Sequence, residues 1–272
     1  MNYQATIIIT FYNKPDLLKL VLAGFERQSV KDFEIIIADD GSNEKVVAEL
    51  QQIIRSSPMH IRHVWHPDNG WQKNLIMNKA IMAAATDYFL FTDGDCIPHR
   101  HFVKEHLQSR ERNHVLTGRR VLLSKRVSKF LNVKRVRLGL LEKVLFPWML
   151  VEKIFGEGQY VENGIYFRSK WIRKRINKKD RGLLGSNFSL HKADILAVNG
   201  FDERYLSPYV GEDTDLDMRL RQFGCKYRHL KHLAIQYHYY HRRLEFTDSN
   251  YSILNENKKL TNGYTPFGIK KS

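Results

Sequence analysis

Ala85–Pro98, ATDYFLFTDGDCIP, decides how the rest of the chain is read. Tyr88-Phe89-Leu90-Phe91 is an aromatic and apolar run, long enough for a buried strand and too short for a helix. It stops abruptly at Asp93-Gly94-Asp95. Two carboxylates one glycine apart, at the carboxyl end of a buried strand, repel unless positive charge lies between them. A divalent cation shared with a diphosphate meets that need, because Mg²⁺ and Mn²⁺ take oxygen ligands and keep sites open for phosphate. The plainer alternative is an acidic turn whose glycine takes a positive φ.

Working back towards the start, Ala5–Thr10 (ATIIIT) is β-branched and apolar throughout, the pattern of a strand covered on both faces. Phe11-Tyr12-Asn13 ends it, and Asn13-Lys14-Pro15-Asp16 predicts a helix start with Asn13 capping and Pro15 at the first helical position. Leu17, Leu18, Val21, Leu22 and Phe25 then recur at helical spacing up to about Gln28. Phe33–Ala38 is a second buried strand, ending in Asp39-Asp40-Gly41-Ser42. A helix over Glu44–Ser56, a strand over Ile61–Trp65 and a helix over Trp71–Ala85 complete the alternation. Such alternation means βαβ units and a mostly parallel, Rossmann-like α/β sheet flanked by helices. Ligands bind such sheets at the carboxyl ends of their strands, where the polar residues fall here. Neither G-x-G-x-x-G after the first strand nor G-x-x-x-x-G-K-[ST] is present, so a nucleotide would be held by side chains and a metal.

The chain of 272 residues is 43% hydrophobic, enough for a sizeable core, and carries a net charge of +15. That charge asks for an anionic partner: nucleic acid, anionic lipid or a phosphorylated substrate. Most of it lies in Arg119–Arg181, with 18 Lys/Arg against 5 Asp/Glu. Cys96 and Cys225 give no disulfide framework, and no uncharged apolar run reaches membrane-spanning length. Met1–Asn13 does not read as a signal peptide. These features predict a cytoplasmic protein, peripheral on the inner face of the membrane.

Within the basic stretch, Leu138, Leu141, Leu145, Trp148 and Phe155 follow roughly helical spacing, interleaved with Lys134, Arg135, Arg137, Lys143 and Lys153. Ser169–Arg181 follows as a basic cluster. A basic amphipathic helical insertion packed on the core accounts for this pattern, and an anionic membrane surface or a nucleic acid would also fit it. Strand character returns over Gly182–Leu190, and His191–Asn199 reads as a short helix closed by Gly200. In Gly211-Glu212-Asp213-Thr214-Asp215-Leu216-Asp217, four acids crowd a helix start. The macrodipole favours them there, and the glycine before them lets one carboxylate reach into a cleft. Ala234–Tyr240 has strand propensity and presents His238, with His241 three residues on.

ITFYN, DDGS, TDGD, NGFDE and GEDTDLDMRL, in this order and at these intervals, resemble the family-2 glycosyltransferases, and the second half is similar to the galactosyltransferase-type region that follows their nucleotide-binding half. The resemblance covers most of residues 5–241 and is weakest across 119–181. It implies one compact domain of GT-A fold: residues 1–118 as nucleotide-sugar-binding half, 119–181 as insertion, 182–241 as acceptor and catalytic half, and 242–272 as a C-terminal tail. It further implies a UDP-sugar donor, Mn²⁺ or Mg²⁺, and inverting transfer of one sugar to a saccharide or lipid-linked saccharide in surface polysaccharide assembly.

Carried over by position, Thr10 and Tyr12 line the nucleoside pocket, and Asp39 accepts from the uracil edge with Asp40 nearby. Asp93 contacts ribose or metal, and Asp95 ligates the metal with His238, His241 being a substitute. Asn78 belongs to the donor side, Lys73 approaches the diphosphate, and Asn187 contacts the donor sugar. Glu212 holds a sugar hydroxyl and Asp213 is the base. The Q-x-x-R-W motif of processive synthases is absent, which implies one sugar per encounter. A nucleic-acid-binding protein and a non-catalytic sugar-nucleotide binder are the alternatives; the former leaves the strand-end acids facing phosphate.

Overall fold

A computed structural model describes residues 3–169, 171, 172, 175, 182–208, 211–242 and 250–271. The first half alternates as its apolar pattern requires: β1 (Ala5–Phe11), α1 (Pro15–Glu26), β2 (Phe33–Asp39), α2 (Glu44–Ser56), β3 (Ile61–Trp65), α3 (Lys73–Ala83) and β4 (Tyr88–Asp93). After β5 (Cys96–Pro98) and α4 (Phe102–Ser109) come β6 (His114–Thr117) and β7 (Arg119–Leu122); β8 (Phe188–His191), β9 (Lys226–His229) and β10 (Ile235–His238) complete the strands. Seven strands form one sheet in the order β3-β2-β1-β4-β8-β6-β9, and β5-β10-β7 form a second, smaller sheet. β3, β2, β1 and β4 are parallel, whereas β8 runs antiparallel to both β4 and β6.

The unbroken apolar runs of β1, β2 and β4 follow from burial on both faces. Ile7, Ile9, Ile35 and Ile37 pack with Leu18, Val21, Leu22 and Phe25 of α1. Ile8, Ile36, Phe89 and Phe91 pack on the other face with Ile76, Met77, Ala80 and Ile81 of α3. Each of these isoleucines is fully buried, and such burial stabilises by about 2 kcal/mol per side chain. Parallel pairing sets Thr10 beside Ala38 and Asp93, and Phe11 beside Asp39. The polar strand ends therefore lie in one row.

Three local expectations change. Asn13 sits at φ +50 and caps nothing; Lys14 precedes α1 without a side-chain cap. The Asn13 Oδ1 instead accepts from the Asn43 backbone N–H and side-chain amide at 3.1 and 3.0 Å, tying the turn after β1 to the start of α2. Secondly, Arg119–Leu122 is a strand of the small sheet, parallel to β10, so the basic segment departs from the sheets only after it. Beyond it lie α5 (Lys125–Phe130), α6 (Val133–Arg137), a π-turn over Leu141–Leu145 and α7 (Phe146–Ile154). Ser124 and Asn132 cap two separate starts, Gly139 takes φ +73 and Pro147 opens α7, so no single helix forms. Leu141 and Leu145 face the core, whereas Leu138, Trp148 and Phe155 are exposed. The cluster at Ser169–Arg181 lies largely outside the described residues. Thirdly, the described part of the expected C-terminal tail is tied to the chain before it. With α8 (Lys192–Ala197), α9 (Glu212–Phe223) and α10 (Tyr251–Asn257) in place, Asn257 donates to both Asp202 and Asp215, and Thr265 to Asp202. Asp215 in turn binds the fully buried Arg219 at 2.7 Å.

A buried chain of polar groups ties α4 to β8. The Tyr88 hydroxyl meets Ser189 Oγ at 2.6 Å, Ser189 Oγ meets His106 Nδ1 at 2.7 Å, and His106 Nε2 meets the Asn187 Oδ1 at 3.2 Å. Burial pushes the His106 pKa from 6.5 down to about 3, against the raising effect of Asn187. Between those values the unfolded chain binds a proton that the folded chain excludes, so stability is full above about pH 6.5 and falls as pH is lowered. The slope is about 1.4 kcal/mol per pH unit from this one group. Urea midpoints across pH 7 to 4 should fall more steeply in the native chain than in His106→Gln. Parallel slopes would show that His106 titrates normally.

Candidate active site

The site is built where the two sheets meet. β4 ends at Asp93, and the chain turns through Gly94-Asp95 straight into β5, passing from the large sheet to the small one. The Gly94 N–H donates to the Thr10 carbonyl at 2.9 Å, and a Cβ at Gly94 would stand 2.8 Å from that oxygen. Close approach, rather than a positive φ, is what this glycine supplies.

On the large-sheet side, Thr10 Oγ1 donates to Asp93 Oδ1 at 2.8 Å. Lys73, at the first turn of α3, places its Nζ 3.3 Å from Asp93 Oδ1 and 3.4 Å from Glu212 Oε1. Burial lowers the Lys73 pKa, but Asp93, Glu212 and Asp213 together outweigh it and leave the ammonium held above its ordinary range. One cation thus links the β4 strand end to the first turn of α9. That turn is opened by Gly211 at φ +108, where a side chain would run into the Tyr205 ring. Asp213 Oδ2 accepts the Gly185 N–H at 3.2 Å.

On the small-sheet side, His238 lies opposite Cys96 in the antiparallel β5–β10 pair. Its Nε2 is 3.6 Å from Asp95 Oδ2, and His241 Nε2 is 3.1 Å from the same oxygen. Burial would raise the Asp95 pKa, but the His241 hydrogen bond and the charges of His238 and His241 hold it well below the usual carboxylate range. Asp95, Cys96 and His238 offer ligand atoms within 4.8 Å of one another. Burial, with Asp95 and Asp93 beside it, pushes the Cys96 thiol far up, so it stays protonated and donates to Asp95 Oδ1 at 3.4 Å. Burial lowers the His238 pKa, against the pull of Asp95. A carboxylate and an imidazole, with Asp93 close by, form a donor set that fits Mn²⁺ or Mg²⁺ with positions left for oxygen ligands.

Thr10, Lys73, Asp93, Asp95, Glu212, Asp213 and His238 therefore gather about one crevice. Tyr12 stands half exposed at its rim, its hydroxyl donating to Asp68 at 2.9 Å. Three other residues are buried among protein partners. Asp39 is fully buried, with Oδ1 accepting the Ser42 N–H and Oδ2 meeting His63 Nε2, each at 2.9 Å; these contacts shape the turn. Asn78 binds the Phe201 backbone at both N–H and carbonyl and also reaches Glu203, so its amide is spent fixing the loop ahead of α9. Asn187 is also fully buried and donates to the Arg119 and Ala234 carbonyls, joining the sheets. Asp40 pairs with His66 at 2.8 Å and accepts the Gln72 N–H at 3.1 Å, steadying the approach to Lys73.

Arg120 is the residue that pattern reading missed. Burial lowers its pKa, yet Cys96, Asp93 and Asp95 raise it overall, and Nη1 donates to Ser186 Oγ at 3.2 Å. In the sequence it is one arginine among many in a basic stretch. His63 and His66 carried a weak signal, two histidines at the end of β3 facing the DDGS acids.

Residues 6–179 match the model for glycosyl transferase family 2, and residues 170–242 match that described as the N-terminal domain of galactosyltransferase. The chain is 25% identical over 241 residues to a chondroitin synthase of Escherichia coli, covering 86% of this chain and 34% of that protein. It is 29% identical over 92 residues to a teichoic acid poly(glycerol phosphate) polymerase of Staphylococcus epidermidis, covering 34% of this chain and 13% of that one. Its fold resembles the crystal structure of S. aureus TarS, with a TM-score of 0.57, 15% identity, and coverage of 87% of this chain and 37% of TarS. The chain spans about a third of the length of the chondroitin synthase and of TarS. More than half of its own length, including every strand-end acid described above, falls inside the first family match, and the chain belongs to glycosyl transferase family 2.

Proposed function

We propose that the chain transfers one sugar at a time from a UDP-sugar to a saccharide or lipid-linked saccharide in surface polysaccharide assembly, with inversion and with a divalent cation. The observation that carries this reading is the double contact of Lys73 with Asp93 and Glu212, which puts the donor-side and acceptor-side acids around one crevice. Residues 1–118 hold the nucleotide sugar and residues 182–241 the acceptor and base. Asp95 and His238 hold the cation, which offsets negative charge on the leaving diphosphate. Lys73 neutralises the same region from the protein side, and Thr10 orients Asp93. Asp213, fixed by the Gly185 N–H, removes the proton from the attacking hydroxyl on the face of the sugar away from the diphosphate. Glu212 positions a sugar hydroxyl. The relatives named for chondroitin and teichoic acid synthesis support a polysaccharide product.

We place the protein at a membrane face through α7 and its flanks. Val144, Trp148, Val151 and Phe155 recur at helical spacing and are all exposed, Phe155 by 80%, with Lys143 and Lys153 beside them; apolar and basic residues together suit an anionic bilayer surface. No helix among the described residues is long and apolar enough to cross a membrane.

The test is a panel of UDP-sugars with and without Mn²⁺, read by thermal stabilisation and by release of UDP. A donor at 100 times its Kd stabilises by about 2.7 kcal/mol, a shift of several degrees. No stabilisation by any member, together with salt-sensitive binding to arbitrary oligonucleotides, would replace the transferase reading with nucleic-acid binding.

A further inference from the structure

A cavity of about 960 Å³ is lined in part by Arg120, His238 and His241, and so borders the Asp95 site. Its walls are the end of β7, the start of α5, the segment Gly156–Gln159 and the chain just after β10; Leu122 and Gln159 exchange backbone hydrogen bonds at 2.9 and 3.1 Å and hold two of these walls together. Thr10, Tyr12, Asp39, Lys73 and Asp213 take no part in it.

The lining is one-sided in charge. Arg120, Lys125, Arg126, Lys129 and Arg242 face a single carboxylate, Glu157, which lies 3.9 Å from Arg126. Arg120 is engaged by the acids of the crevice. Lys125 and Lys129 stand four residues apart on α5, an arrangement that costs stability through like-charge repulsion. Both are exposed, and the helix is capped by Ser124 without their help. The fold has no use for these two charges, so a ligand anion is the economical explanation of their placement. The volume suits a sugar-sized group and is too small for a nucleic-acid duplex.

Arg120 is the wall shared with the crevice. Its guanidinium donates to Ser186 Oγ, next to Gly185, whose N–H holds Asp213. Ser186 and Arg120 therefore link the Gly185 segment that holds Asp213 to a wall of the cavity. We propose that the cavity is an acceptor subsite for an anionic group, phosphate or carboxylate, held by Lys125, Lys129 and Arg242 while another part of the same acceptor presents its hydroxyl to Asp213. This rests on the transferase reading above and deepens it: the acceptor is an acidic saccharide or a sugar phosphate.

The experiment uses the full chain saturated with UDP and Mn²⁺, titrated by ligand-observed NMR with sn-glycerol 3-phosphate, glucuronate and, as neutral controls, glycerol and glucose. At least one anion should bind without displacing UDP, the neutral compounds should not, and the tighter anion distinguishes phosphate from carboxylate. Lys125→Glu with Lys129→Glu should weaken that binding at least tenfold, and the two glutamine replacements less. Competition between the anion and UDP would make the cavity part of the donor site and overturn the proposal. So would unchanged anion affinity in the double variant, including the case where only its binding to phosphatidylglycerol vesicles falls, which would give the lysines to a lipid surface. Anion binding by a wild-type chain that ignores UDP and Mn²⁺ would remove the acceptor assignment together with the transferase reading, whereas UDP binding with no anion binding removes the subsite alone.

Discussion

Asp213→Asn is expected to lower turnover by about two to four orders of magnitude, the range lost when a general base is removed. The replacement keeps the shape of the side chain and an oxygen for the Gly185 N–H, which Asp213 Oδ2 accepts at 3.2 Å, so α9 and the loop before it stay in place. What disappears is the ability to take a proton. UDP affinity, measured by calorimetry with Mn²⁺, should change little, because Asp213 is held by the Gly185 N–H on the first turn of α9 and Lys73 keeps its contact with Asp93. An equal loss of UDP affinity and turnover would reassign Asp213 to holding the donor.

Asp95→Ala should abolish Mn²⁺-dependent UDP binding. Asp95 lies within reach of both His238 and His241, at 3.6 and 3.1 Å, and it also accepts from the Cys96 thiol. Without it the imidazole of His238 and a protonated thiol remain, a poor set for a hard cation that prefers anionic oxygen. Calorimetry of UDP with and without Mn²⁺ separates the outcomes. If the metal-dependent increment survives in Asp95→Ala, the cation is held elsewhere and the reading of the acidic turn fails.

The family resemblance drew on five short motifs, and they do not all serve the crevice. TDGD and GEDTD bring Asp93, Asp95, Glu212 and Asp213 to it. NGFDE supplies Asp202, which is fully buried against Arg204, Asn257 and Thr265 and so organises the loop that leads to α9. In DDGS, the first aspartate accepts the Ser42 N–H and meets His63, which orders the turn. A carboxylate that orders a turn and one that waits for a ligand look alike in a string of residues. Only the count of neighbouring donors tells them apart, and those donors come from other strands.

The amino-acid sequence by itself determined the alternating strands and helices of the first half, the polar ends of β1, β2 and β4 and the acidic first turn of α9. Periodicity and burial preference act over a few residues, so a linear pattern carries them. Tertiary structure alone decided that Lys73 meets Glu212 across 139 positions, that Arg120 stands beside Asp93 and Asp95, and that Asn78 and Asn187 are fixed into buried backbone contacts. Hydrogen bonds and Coulomb attraction act over a few ångströms of space, and no local pattern encodes which distant groups folding will bring that close.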